Sequence, residues 1–135
     1  MAGYLTDYAN NRVLDLLFGA SCLAPPPALY FGLSRSPASK GGGVAEPEAG
    51  GYARAAVRND PAHFPAASGG TKSNATAITF AAPTSGWGTI VSVFVADAVT
   101  GGNVVAMADL PSPRAIAAAG PAPSIAAGAM FLSHM

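Results

Sequence analysis

Thr89-Ile90-Val91-Ser92-Val93-Phe94-Val95-Ala96-Asp97 is the stretch that decides the fold. Its β-branched and aromatic residues sit on both alternating faces, so it reads as a central strand covered on two sides. Trp87 opens it, and Asp97 stands where it can cap the turn that follows. Thr100-Gly101-Gly102-Asn103 is then a hairpin turn, and Val104 to Leu110 returns antiparallel.

Other strands can be read outward from this hairpin. Ala28 to Ser34 is a short apolar run of strand type. Tyr52 to Arg58 alternates, with Tyr52, Arg54, Ala56 and Arg58 on one face. His63-Phe64 begins a short strand, Ala75 to Phe80 forms another, and Met130-Phe131-Leu132 lies in a last one. Asn59-Asp60-Pro61, Ser68-Gly69-Gly70 and Pro83 to Gly86 mark turns. Pro111, Pro113, Gly120, Pro121 and Pro123 punctuate the final third. Ser36 to Gly51, with two prolines and three consecutive glycines, is a loop longer than ordinary connections, hence functional or partly mobile.

The first segment has helical spacing. Thr6 and Asp7 cap and charge its start. Leu5, Tyr8, Val13, Leu14, Leu17 and Phe18 form the apolar face, and Gly19 and Pro25-Pro26-Pro27 end it. These signals predict a mainly β protein: one antiparallel β-sandwich domain over 1–135, jelly-roll-like, preceded by an N-terminal helical arm of about residues 5–19.

Composition narrows the function. Seven basic residues balance seven acidic ones, and only 10% of the 135 residues are charged. That is well below the usual quarter. A neutral chain lacks the footprint of a nucleic-acid or anionic-membrane binder. About 30 alanines and few charges leave a surface suited to being covered by a partner. Cys22 is the single cysteine, which excludes an internal disulfide and multi-cysteine zinc sites. The start carries no basic-then-apolar pattern of a secretory signal.

Chemistry-bearing residues are sparse. His63 and His134 lie far apart, and His63 reads as a loop histidine. Cys22 reads as a small hydrophobe, without a nucleophile signature. Glu46 and Glu48 flank Pro47 without a third calcium ligand at useful spacing. Gly69-Gly70-Thr71-Lys72-Ser73 lacks phosphate-loop spacing, and Asn74-Ala75-Thr76 fits a glycosylation sequon only formally. The chain is therefore expected to be no enzyme, with no catalytic residues, cofactor or metal. Arg54 mid-strand reads as part of a solvated sheet face or as a partner contact, and Trp87 as a core or sheet-corner anchor. The candidate interface residues are Tyr8, Leu17, Phe18, Tyr52, Arg54, Arg58 and Trp87.

An ordered set of motifs supports a resemblance. A helix ends in Leu17-Phe18-Gly19. Pro27-Ala28-Leu29-Tyr30-Phe31-Gly32-Leu33-Ser34 follows, then Gly50-Gly51-Tyr52-Ala53-Arg54. Ala66-Ala67-Ser68-Gly69-Gly70, Ser73-Asn74, Ile78-Thr79-Phe80, Trp87-Gly88-Thr89, Asp97, Gly101-Gly102-Asn103 and Ala127-Gly128 come in order. In this set the chain resembles a widespread family of small tailed-bacteriophage virion proteins, often called tail-fibre proteins. It is also similar in size and texture to jelly-roll capsid decoration proteins. The triple proline, the long loop and the proline-rich final third depart from the family pattern.

The resemblance implies a virion structural subunit made in the bacterial cytoplasm. The leading expectation is a capsid decoration (cement) protein, a homotrimer on the major capsid protein that stabilises the shell. The alternative is a tail-fibre or baseplate appendage that touches host-surface glycans. Neither involves nucleic acid or a membrane.

Overall fold

A computed structural model of the chain describes residues 2–20 and 24–133. Cys22 and His134 lie outside the described residues. Among these there are nine strands and one helix: β1 (Ala2–Leu5), α1 (Asp7–Leu17), β2 (Ala28–Ser34), β3 (Ala55–Arg58), β4 (Thr71–Ser73), β5 (Ile78–Thr79), β6 (Gly88–Ala96), β7 (Val104–Ile116), β8 (Ser124–Ile125) and β9 (Phe131–Ser133). Seven form one sheet in the order β3-β2-β6-β7-β1-β9-β4, while β5 and β8 form a second, small sheet. The architecture is mainly β in two sheets, with a helix near the N-terminus, as the pattern predicts.

The central strand is β6, antiparallel to β2 on one side and β7 on the other. Between Ile90 and Ser92 the register shifts: one residue of β6, Val91, stands opposite four of β7, Leu110 to Pro113. The bulge reverses side-chain parity, so Ile90 shares a face with Val93 and Val95. These three join the main core with Phe31, Leu33, Trp87, Ala106, Ala108 and Met130. The small sheet and its flanks close this core with Ile78, Phe80 and Ile125. Phe64 enters it too, its ring stacked on Phe31 at 6.2 Å.

On the other face, Phe94, Ala96 and Met107 are fully buried under Ala38, Val44 and Val104. The long loop is thus an ordered cover over the sheet. Arg35 N donates to Ala45 O, and Ala45 N donates back to Ser34 Oγ. Ser92 Oγ donates to Ser36 O at 2.6 Å, and Ala38 N to Asp109 Oδ1 at 2.8 Å. Ser92 and Ser34, polar residues inside an apolar sheet, are explained by these bonds.

Several predicted boundaries are corrected. Leu5 is in a strand, not a helix: it pairs with Ala106. Thr6 then stops the strand and starts α1 at once. Its Oγ1 donates to Val104 O at 2.6 Å and accepts from Ala9 N at 3.4 Å. The helical arm is therefore stitched to β7 at its first turn. Tyr52 and Arg54 precede β3 rather than lying in it. His63 and Phe64 belong to a turn closed on Asp60 O. Of Ala75 to Phe80, only Ile78–Thr79 is strand.

Strand β7 continues through Pro111 and Pro113 to Ile116. Leu110 to Pro113 pairs with neither neighbour: the β6 ladder skips from Asp109 to Arg114, and β1 covers β7 only from Ala106 to Ala108. Prolines inside this bulge forfeit no ladder bond. Strands β4 and β8 carry no hydrophobic alternation, being three and two residues long, and sequence periodicity misses them. The β1–β9 pairing is parallel, which brings the two ends of the described chain side by side.

Candidate functional site

Two features stand out from the fold: an ionic clamp inside the molecule and an apolar surface at the end of α1. The clamp is built where two glycines turn the long loop back toward the sheet. Gly50 and Gly51 both have left-handed backbone, with φ of 74° and 73°. A Cβ on Gly50 would lie 2.5 Å from Ser85 O and 2.8 Å from Trp87 Nε1. This close approach lets Trp87 Nε1 donate to Gly50 O at 3.0 Å. Tyr52 then packs edge-on against Trp87, ring centroids 5.3 Å apart.

Tyr52 Oη donates to Glu46 Oε1 at 2.7 Å and accepts from Leu33 N at 3.0 Å. Arg54 Nε and Nη2 each lie 2.9 Å from one oxygen of the same carboxylate. Arg54 Nη1 donates to Ala98 O at 2.7 Å and Gly101 O at 2.9 Å, in the β6–β7 hairpin. The guanidinium also stands 5.0 Å over the Phe94 ring. One arginine thus ties the long loop, the central strand and the hairpin together.

Electrostatics follow from this geometry. Burial works against the charge on Glu46, but hydrogen bonds from Arg54 and Tyr52 outweigh it and hold its carboxyl below the usual range. Burial and the carboxylate beside it push the Tyr52 phenol well above its ordinary value. The hydrogen bond to Glu46 keeps Arg54 charged more firmly still. The carboxylate's oxygens are occupied by protein donors, so the cluster holds the chain together and offers no free acid or base.

Arg54 is therefore not part of a solvated sheet face: its side chain is only 4% exposed. Trp87, at 2% exposure, is a core residue of the chain. Tyr52 is half-buried in the clamp. Arg58, 81% exposed on the edge strand β3, leans on Asp60 at 3.7 Å. The structure does not bring the seven candidate interface residues into one patch. Glu46, the key partner, is not marked by the sequence, because no periodicity links it to Arg54 across a Gly-Gly turn.

The remaining polar residues serve turns. His63 Nδ1 meets Asp60 Oδ1 at 2.6 Å, and this bond holds the Asp60 carboxyl below its usual range. Asp97 accepts from Asn103 N at 2.8 Å, closing the hairpin as the sequence suggests. Asn74, first residue of the formal sequon, is buried. It donates to Thr76 O and Ala126 O and accepts from Met130 N. Lys72 lies in strand β4, outside any phosphate-loop setting. Among the described residues no cluster of three or more His, Cys, Asp or Glu could hold a metal ion. No described helix is long and apolar enough to cross a membrane.

The apolar surface belongs to α1. Ala9 is its one buried residue, so the predicted apolar face is not docked on the sheet. Leu17 and Phe18 are 67% and 78% exposed, and Leu14, Leu16 and Tyr8 are exposed beside them. Leu14 and Leu16 were not among the expected interface residues, although Leu14 has the same helical spacing as Leu17 and Phe18. One further exposed apolar residue, Val99, sits at the hairpin tip.

The family model described as Podophage GP4 fiber I protein gp80 matches residues 4–133. No protein of curated function matches the chain.

Proposed function

The chain belongs to the podophage GP4 fiber I protein gp80 family, a family of phage virion proteins, and from that membership we propose that it is a structural subunit of a tail fibre or related appendage. The observation that carries this reading is the family match over nearly the whole chain. The described fold is in keeping with it. Its buried ion pair, Glu46 and Arg54, is spent on clamping loops, and most of its large exposed apolar residues gather on one helix. A rigid module with an uncovered apolar patch suits assembly into a larger particle. The role is non-catalytic, and contact with host-surface glycans would belong to the assembled appendage.

The family description favours the appendage over the capsid-decoration reading that composition and texture suggested first. Separating heads from tails of purified virions, and quantifying the protein against the major capsid subunit, decides between them. A few copies per particle in the tail fraction are expected. A near-stoichiometric amount on heads would overturn the appendage reading and restore the decoration one, with its trimer on the capsid lattice.

A further inference from the structure

Arg114 breaks an apolar row on the inner face of β7. It pairs directly with Ile90, and directly opposed residues project to the same face of a sheet. For Ile90 that face is the main core, and Ile116, two residues beyond Arg114, joins the same core. A charge in such a row departs from binary patterning. Arg114 is exposed, and among the described residues it forms no ion pair.

Beside it lies a cavity of about 150 Å³ between the two sheets. Leu33, Phe80, Ile90, Val93, Ile116 and Ile125 supply its walls. Leu110, within the β7 bulge, and Arg114, just after it, also line it. Arg114 and Ser124 are its polar side chains, and both are exposed, which places the opening beside them. No acidic residue lines the cavity. Its charge is therefore of one sign, and it sits at the rim of an apolar interior.

Two pieces of chemistry follow. Aliphatic and aromatic walls around this volume take an apolar molecule of benzene size. An unpaired guanidinium binds a carboxylate through two parallel hydrogen bonds, and apolar walls beside it screen that pairing less than open water does. We propose that this cavity binds a small organic acid, its compact apolar body between the sheets and its carboxylate on Arg114, with the Ser124 hydroxyl as a second donor. An arginine that only covers the rim of the core would need its alkyl stem and not its charge. The proposal holds whether the chain stands on a tail or on a head.

Titrating the full chain with benzoate, benzyl alcohol and benzylammonium tests it, read from the methyl resonances of an isotope-labelled sample. Shifts should centre on Ile90, Val93, Ile116 and Ile125, with a benzoate dissociation constant of roughly 1 mM. Benzoate should bind about tenfold tighter than benzyl alcohol, and benzylammonium more weakly than either. Arg114→Met keeps an apolar stem and removes the charge. It should weaken benzoate about tenfold and leave benzyl alcohol within about twofold. Because Arg114 is exposed, the fold survives this change. Ala129→Leu fills the cavity and should abolish binding of all three probes; should that variant fail to fold, the Arg114→Met comparison still decides. The absence of saturable shifts up to about 20 mM benzoate, or shifts centred on Leu14 and Leu17 of α1, would overturn the proposal. So would a benzoate preference that is missing from wild type or that survives Arg114→Met.

Discussion

Arg54 and Glu46 meet edge to edge, each nitrogen–oxygen contact being 2.9 Å, although eight residues and a Gly-Gly turn separate them in the chain. Paired arrangements of this kind are the strong form of the charge-assisted hydrogen bond. Here the guanidinium is almost wholly enclosed and keeps two carbonyl partners on the hairpin. Breaking one side of such a pair leaves a buried charge half-compensated. Glu46→Gln should therefore cost about 2–3 kcal/mol in urea unfolding. Tyr52→Phe, which removes one donor to the same carboxylate and one acceptor for Leu33 N, should cost about 1 kcal/mol.

The same carboxylate makes stability depend on acid. Its folded pKa lies below the ordinary value of 4.5. Between the two values the unfolded chain binds the proton more readily, so stability falls as pH falls. The contribution is whole above pH 4.5 and is lost as pH drops through the folded value. Denaturant midpoints measured from pH 6 down to pH 3 should fall more steeply for wild type than for Glu46→Gln. Parallel curves would mean that other carboxylates carry the acid sensitivity.

Gly32 faces Phe94 across the β2–β6 ladder. A Cβ at Gly32 would lie 2.2 Å from the Phe94 ring, and that ring is fully buried. It cannot retreat, because the loop residues Ala38 and Val44 press on it from above. Gly32→Ala should destabilise by about 2–3 kcal/mol, as overpacking of a tight core does. Adding Phe94→Leu should recover part of that loss, though the arginine then loses its ring. A melting temperature unchanged by Gly32→Ala would mean that the strand pair can spread apart.

Asn74 ties its own turn to the segments at Ala126 and Met130. Its amide donates to Thr76 O and Ala126 O, and its carbonyl accepts from Met130 N. Asn74→Asp keeps the shape but swaps two donors for a charge facing two carbonyls. We expect about 2–4 kcal/mol of destabilisation. Amide exchange should rise first around Ala126, whose carbonyl loses its donor, while the Met130 N–H keeps a carboxylate acceptor. Equal protection in the variant and wild type would show that β8 and β9 are held by other bonds.

The β content, the central strand, its hairpin and the helix near the N-terminus are all legible in the chain, because each is written in neighbouring residues. Alternation marks β6, glycine and asparagine mark the turn, and Thr6 with Asp7 marks the start of α1. Membership of a phage virion family follows the ordered short motifs for the same reason. The fate of each side chain is a different matter. Whether Arg54 faces water or Glu46 depends on two glycines folding a distant loop back over the sheet. The parity of β6 depends on a bulge in its pairing with β7 that no local pattern announces. The prolines of β7 are tolerated because they fall in its bulge, outside the ladder. Leu17 and Phe18 lie on the apolar face of the helix by spacing, yet only packing decides whether a sheet lies beneath them. Local propensity and periodicity are properties of adjacent residues; pairing, parity and exposure are set by which distant segments meet, and that only the folded chain decides.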